Sequence, residues 1–499
     1  MGARDPPAQT PHRHRVDAET MNETCELRMA QDMYDQLHAH LYPGDHDEHG
    51  AVIHAGLINT PRGPILTART LVLAEEGRDW VPGTRGYRRL PATFVAKQAR
   101  RCRDEQLVYL AVHNHGGRDR VAFSDVDLET HERGFPALLD LVNGLPVGSL
   151  VFAENAVAGD IWLPGKRRLT LDRLVVVGPH RTELRAAPLP QQTFFDARFD
   201  RQARMFGATG QSILARSKVA IVGLGGVGSI LAELLGRLGV GSFVLVDPDR
   251  VQPSNLPRLA HATNFDAMTW LVNEGRPVWM RKLGTRFSTR KIDLARRVIR
   301  RANSKARIEL YATAMEERAV VEALKTCDYI FLAADGHRAR RLFNAVVHQF
   351  LIPGVQMGTR IQPDPATGAL VNVHTSARLV VPSSGCLLCN EAVSPQRLRE
   401  ESMSEEMRKT QRYVDGDDAS APSVITLNAL SASQAANDFL FYITGLTKMD
   451  AFQGNVQARP LDRRVKFVIP RQDSNCPDCG HEQHSRFARG DAVPLPLID

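Results

Sequence analysis

Residues 218–229 read KVAIVGLGGVGS, and the fold turns on how this stretch is read. Lys218–Val222 is an apolar run of strand length, and the residues beyond Gly228 are helical in composition, so the glycines fall between a strand and a helix. Glycine suits such a turn because the backbone can approach a nucleotide with no Cβ in the way, and a helix N-terminus favours anionic phosphate. Gly223, Gly225, Gly226 and Gly228 are therefore the candidate nucleotide-binding glycines. A second strand, Ser242–Val246, ends on Asp247, placed to take ribose hydroxyls. This much fits a nicotinamide dehydrogenase equally well.

Working outward, Cys327–Ala333 reads as a further strand leading to Asp335. Strands alternating with helical stretches predict a Rossmann-like, doubly wound parallel sheet with helices on both faces. The segment after Asp247 separates the two functional readings. Asp247-Pro-Asp249 leads into Ser254-Asn255-Leu256-Pro257-Arg258, which resembles the DxD…SNLxR signature of the ThiF/MoeB/E1 family of adenylating enzymes. Arg201-Gln202 upstream resembles the family's RQ element, and Lys291 stands where the family has a lysine opening its next helix. Asp335 followed by Asn344 resembles its strand-terminal aspartate and trailing asparagine. The resemblance runs from about Asp196 to Cys479.

That resemblance implies roles residue by residue. Asp247, with Asp249 beside it, would hold the ribose of ATP; Asn255, Arg258 and Lys291 would contact phosphates; Asp335 would hold Mg²⁺. Arg201 would reach the triphosphate from the other subunit of a homodimer. Such residue types suit the chemistry, because a carboxylate attacking the α-phosphate of a polyanion needs cations and metal to neutralise charge. Two CxxC pairs, Cys386/Cys389 and Cys476/Cys479, supply four thiolates for a tetrahedral structural Zn²⁺, as members of the family often do. Ubiquitin-type activating enzymes also carry a crossover cysteine that accepts the acyl group as a thioester. Residues 391–421, read as the crossover, contain none. Its serines, Ser394, Ser402, Ser404 and Ser420, are poor nucleophiles without a base. Direct transfer to a partner nucleophile is expected.

A second constellation lies upstream in His113-Asn-His115 and Ser124-Asp-Val-Asp127. On a strand, residues i and i+2 share a face, so His113 and His115 can point at one metal, and Asp127 at the start of the next helix adds a carboxylate. Two imidazoles and a carboxylate leave a fourth position open, the layout of a catalytic zinc. The pattern resembles the JAMM/MPN+ motif of JAB-type metal-dependent isopeptidases, with Gly116 where the family usually has proline. The resemblance covers residues 26–165 and implies a glutamate before an early strand as proton acceptor, for which Glu48 is the candidate and Glu75 and Glu76 are rivals. It also implies that Ser124 steadies the tetrahedral oxyanion.

The length of 499 residues calls for two domains. The division expected is a disordered tail over 1–25, a JAB-like α/β metallopeptidase domain over 26–185, a proline-bearing linker over 186–193, an adenylation domain over 194–485 and a C-terminal tail over 486–499. Apolar content of 43% and charged content of 24% are those of ordinary soluble proteins. The polar N-terminus carries no secretory signal and no run reads as a membrane span, so a cytoplasmic location is expected. Of the seven cysteines, Cys25, Cys102 and Cys327 read as buried small hydrophobes. The basic run Arg281–Arg301 reads as a solvated helix face.

Joined, the halves suggest adenylation of the C-terminal carboxylate of a ubiquitin-like protein combined with zinc-dependent processing or deconjugation of that protein, as in bacterial conjugation systems, some of them anti-phage. ATP, Mg²⁺ and two Zn²⁺, one catalytic and one structural, are the implied cofactors. An E2-like protein is a further candidate partner, and nucleic acid is not expected. The rivals are activation of a sulfur-carrier protein, adenylation-based tRNA modification, and a scaffold with a degenerate metal domain.

Overall fold

The computed structural model describes residues 23–497, apart from 46, 76, 80, 83–87, 191–195, 365–366, 383, 404–421 and 448–453. Residues 1–22 of the expected tail, Glu76, Ser404 and Ser420 lie outside the described residues. Cys25, placed in that tail from sequence, instead opens the first strand and is fully buried.

Eight strands form the first sheet: β1 (Cys25–Ala30), β2 (Gly50–Thr60), β3 (Gly63–Leu73), β4 (Val108–Asn114), β5 (Val147–Ala153), β6 (Ala156–Leu163), β7 (Arg167–Val177) and β8 (Arg181–Leu184). Their order is β1-β3-β2-β4-β5-β6-β7-β8, and β1 also pairs in parallel with β7, so the sheet curls until it meets itself. Its interior is filled by Leu27, Met29, Ile53, Leu110, Leu150 and Leu174, all fully buried. Helices α1 (Gln31–Leu41), α2 (Ala92–Glu105) and α3 (Asp125–Leu141) flank it.

The second sheet comprises β9 (Lys218–Val222), β10 (Ser242–Val246), β11 (Arg307–Tyr311), β12 (Tyr329–Leu332), β13 (Gly354–Pro363), β14 (Leu370–Val380), β15 (Asn455–Arg459) and β16 (Arg464–Val468). Its order is β11-β10-β9-β12-β13-β14-β15-β16. The first five are parallel, as expected; the last three add on antiparallel, which the sequence reading did not include. Alternating polar and apolar residues on a half-exposed extension carry a weaker signal than the continuous apolar runs of β9 and β10. Among the helices of this half are α4 (Asp200–Arg216), α5 (Gly226–Leu238), α6 (Lys291–Ala302), α7 (His337–Phe350), α8 (Pro395–Ser402) and α9 (Ile425–Thr444). Leu231 and Leu235 of α5, Ile299 of α6 and Phe439 of α9 cover one face, and Leu342, Phe343 and Val346 of α7 cover the other. Strand order reverses at β9, with β10 on one side and β12 on the other, and open α/β sheets bind ligands beyond such a switch point. No helix among the described residues is long and apolar enough to cross a membrane.

The halves are joined by buried polar contacts. Arg28, 5% exposed, donates to the carbonyls of Phe350 (3.0 Å) and Lys325 (3.1 Å), and Arg173 pairs with Asp328 at 3.3 Å. The segment beginning at 486, expected to be a tail, is instead a strap laid on the first sheet. Phe487 and Ala488 are fully buried. Arg69 donates to the carbonyls of Phe487 and Glu482, both at 2.6 Å, Thr67 to that of Ala488 at 2.9 Å, and Leu57 bridges to Gly490. Backbone carbonyls satisfy the buried guanidinium, so the strap needs no apolar periodicity to be held.

Candidate functional site

Strand β4 ends in His113-Asn114, and His113 and His115 meet with Nε2 atoms 3.2 Å apart. Asp127, in the first turn of α3, puts Oδ1 3.6 Å from His113 Nε2 and Oδ2 3.4 Å from His115 Nε2. Ligands 2.0–2.1 Å from a shared tetrahedral ion lie about 3.3 Å from one another, so the three side chains are spaced to hold one metal. Ser124 is the N-cap of α3 in a full capping box: its hydroxyl donates to Asp127 Oδ2 at 2.7 Å and accepts from Asp127 N–H at 3.2 Å. The resemblance gave Ser124 to the oxyanion; here its hydroxyl proton is engaged by Asp127. Burial pushes the Asp127 carboxyl up, but hydrogen bonds from His113, His115 and Ser124 outweigh it and hold the group well below the usual carboxylate range. Its hydrogen bond to Asp127 raises His115 above its ordinary value, against burial, and the charges of Asp127 and Glu48 add to the effect. His115 Nδ1 meets the carbonyl of Ala122 at 3.1 Å, leaving Nε2 for the cluster. A cavity of about 720 Å³ opens beside the cluster, with Glu48, His113 and Asp127 at one end, Tyr109 and Ala111 as floor, and α2 and α3 as walls.

The four cysteines form a second cluster. Sγ separations are 3.6 Å for Cys386–Cys389 and Cys386–Cys476, and 3.5 Å for Cys389–Cys479. Four thiolates 2.3 Å from one ion lie about 3.8 Å apart, so these too fit one metal. None is more than 6% exposed. Asn344, the expected trailing asparagine, is fully buried beneath this cluster, where Nδ2 donates to Asp478 at 2.6 Å and Oδ1 accepts from Leu387 N–H at 2.8 Å. It braces the two knuckles.

The nucleotide-loop glycines divide by what surrounds them. Gly223 has φ +88°, and a Cβ there would come within 2.7 Å of Ala334 N; one at Gly228 would strike the Gly223 carbonyl, and one at Gly226 the Asn428 amide. Gly225 alone of the four faces open space, at the N-cap of α5. Asp247 is 5% exposed; it accepts from Leu224 N–H at 2.7 Å and Asp249 N–H at 2.8 Å. Burial raises its carboxyl above the ordinary value, although Lys291 and both N–H groups pull the other way. Lys291 opens α6, as expected from sequence, with Nζ 2.6 Å from Asp249 and 3.6 Å from Asp247. Asn255 is buried and accepts from Gln252 N–H at 3.2 Å, and the half-exposed Arg258 has no side-chain ion pair among the described residues. Asp335 is exposed just past β12.

Arg201 is exposed on the first turn of α4 and, among the described residues, makes no hydrogen bond or ion pair with this loop. Two residues near the loop were not anticipated. Asn428 of α9 packs on Gly226, and Glu401 of α8 accepts the first N–H groups of α7, from His337 and Arg338, both at 2.8 Å. Glu401 lies in the crossover and Asn428 beyond it, and no local spacing announces them. Cys25, Cys102 and Cys327 are fully buried or nearly so, as expected, and burial pushes each thiol up to about 12.

Several known proteins are similar to parts of this chain. The tRNA threonylcarbamoyladenosine dehydratase of Bacillus subtilis is 47% identical over 64 residues, 13% of this chain and 25% of that protein. The SAMP-activating enzyme E1 of Haloferax volcanii is 27% identical over 190 residues, 38% of this chain and 59% of that one. The sulfur carrier protein adenylyltransferase of Thermus thermophilus is 30% identical over 138 residues, covering 28% and 44%. The chain thus spans between a quarter and three-fifths of the length of these relatives. Among solved structures, Escherichia coli MccB with ATP aligns over 58% of this chain and 76% of that one, at 17% identity and a TM-score of 0.43. Residues 199–478, more than half of the chain, match the ThiF family. The chain belongs to the ThiF family.

Proposed function

We propose that this protein adenylates the C-terminal carboxylate of a ubiquitin-like or sulfur-carrier protein, and that its N-terminal half is a zinc-dependent isopeptidase acting on the same protein. The observation that carries the reading is the gathering of Gly225, Asp247 and Lys291 at the switch point of the second sheet, with the Arg258 carbonyl against Gly226. Gly225 gives a phosphate chain room against the N-terminus of α5. Asp247, its carboxylate held by two N–H groups, accepts from ribose hydroxyls. Lys291 and Arg258 bring cations to the phosphates. The substrate carboxylate then bonds to the α-phosphorus while the bond to pyrophosphate breaks, and pyrophosphate carries away the displaced charge. Mg²⁺ at the exposed Asp335 would neutralise charge on the nucleotide.

The state of the thiols supports direct transfer of the acyl group. Four of the seven cysteines lie in the CxxC cluster, and the other three are buried with raised pKa values, so none is set up as a thioester nucleophile. The four-cysteine cluster suits a structural Zn²⁺.

In the N-terminal half, Zn²⁺ held by His113, His115 and Asp127 would acidify water and polarise a carbonyl. Glu48 takes the proton released by the attacking water and passes it to the leaving amine. Residues 26–185 are assigned to this unit and 194–485 to adenylation. The test is ATP–pyrophosphate exchange with ubiquitin-fold proteins bearing a free C-terminal glycine. Exchange stimulated by such a protein and lost in Asp335→Ala supports the reading; exchange retained in Asp335→Ala removes it. The similarity to tRNA-modifying dehydratases favours a second reading, which requires tRNA binding that weakens steeply with salt.

A further inference from the structure

Strand β2 begins at Gly50, paired in antiparallel register with His113. The chain just before it stays against β4. Asn114 lies between the two candidate metal-binding histidines, and its own side chain points away from them; it is only 7% exposed. Its Oδ1 accepts from His49 N–H at 2.5 Å, and its Nδ2 donates to the Asp47 carbonyl at 3.3 Å. These belong to the two peptide groups on either side of Glu48. One side-chain amide thus does what a neighbouring strand would do, supplying an acceptor to one and a donor to the other. Glu48 in turn lines the cavity that His113 and Asp127 share.

We infer that Asn114 is a positioning residue that fixes Glu48 against the His113–His115–Asp127 cluster. The inference rests on the isopeptidase reading and adds what that reading lacks, a reason for Glu48 to stay in place on a segment outside any strand. Alanine cannot bridge both peptide groups, and serine is too short to do so. A displacement of about 1 Å of a proton acceptor costs roughly 100-fold in rate.

The test uses the zinc-loaded full chain and a peptide ending in a Gly-Gly aminomethylcoumarin amide. In Asn114→Ala, kcat falls roughly 100-fold while KM, zinc content and Mg·ATP binding hold. Amide hydrogen exchange across residues 47–50 becomes at least about tenfold faster. In a Glu48→Gln background, Asn114→Ala costs nothing further, because the group it positions is already gone. If Asn114→Ala costs the same factor in both backgrounds, or acts by losing zinc or raising KM, the inference is overturned and the isopeptidase reading stands. If the zinc-loaded wild type leaves the amide intact, or Glu48→Gln hydrolyses it at the wild-type rate, both fall together.

Discussion

The Cys386–Cys389–Cys476–Cys479 cluster and the His113–His115–Asp127 cluster are both spaced to hold one ion, yet they differ in what surrounds them. The sulfurs are sealed, none more than 6% exposed, and the knuckles are braced from below by Asn344 and Asp478. His113 and Asp127 of the second border a cavity of about 720 Å³ that Glu48 also lines. A closed set of four ligands commits the metal to holding the chain; an open set of three leaves a position for chemistry. The comparison teaches that a donor count alone does not separate structure from function. Access does.

The largest expected effect breaks the closed site. Cys389→Ser with Cys479→Ser should remove one zinc per chain and unfold the strap that follows Cys479. Structural zinc is worth about 10–16 kcal/mol in small domains, so the chain should become protease-sensitive from its C-terminus, read by limited proteolysis. At the open site, Glu48→Gln should slow amide hydrolysis roughly 10²–10⁴-fold with zinc retained, measured by metal analysis alongside rate.

A third effect is confined to the N-terminal half. His54 is fully buried in β2, and Gln98 nears its ring without closing a hydrogen bond of ordinary geometry. Burial lowers it to about 4 from an ordinary 6.5. Between these values the unfolded chain binds a proton that the folded one does not, so stability falls as pH drops from 6.5 to 4 and is level above. The loss is about 3 kcal/mol; urea midpoints of His54→Asn should flatten across that range.

Smaller again, Asp247→Ala should weaken Mg·ATP roughly 10–100-fold, read as a lost thermal shift. Ser124→Ala removes the cap of α3 and should cost about 1 kcal/mol while loosening Asp127.

The parts that were legible in sequence are those whose geometry is local. His113 and His115 stand two residues apart where β4 ends, Ser124 caps the helix turn that holds Asp127, and each CxxC closes its own knuckle. Lys218–Val222 and Ser242–Val246 were legible because a strand buried on both faces is a continuous apolar run. Asn114, Asn428 and Glu401 were not, because each acts on a segment brought to it by tertiary packing. The strap was misread as a tail for a related reason: its carbonyls hold it, and every residue has a carbonyl. Arg201 sits exposed on α4, and no ion pair engages it among the described residues.

The central claim is that one chain carries an adenylating site and a separate hydrolytic metal site. It is tested most directly by measuring zinc content and ATP–pyrophosphate exchange on the same preparations of His113→Ala and Asp335→Ala. The account predicts that His113→Ala loses one of two zincs and keeps exchange, whereas Asp335→Ala keeps both zincs and loses exchange. Exchange that survives Asp335→Ala, or zinc content that His113→Ala leaves unchanged, would contradict it.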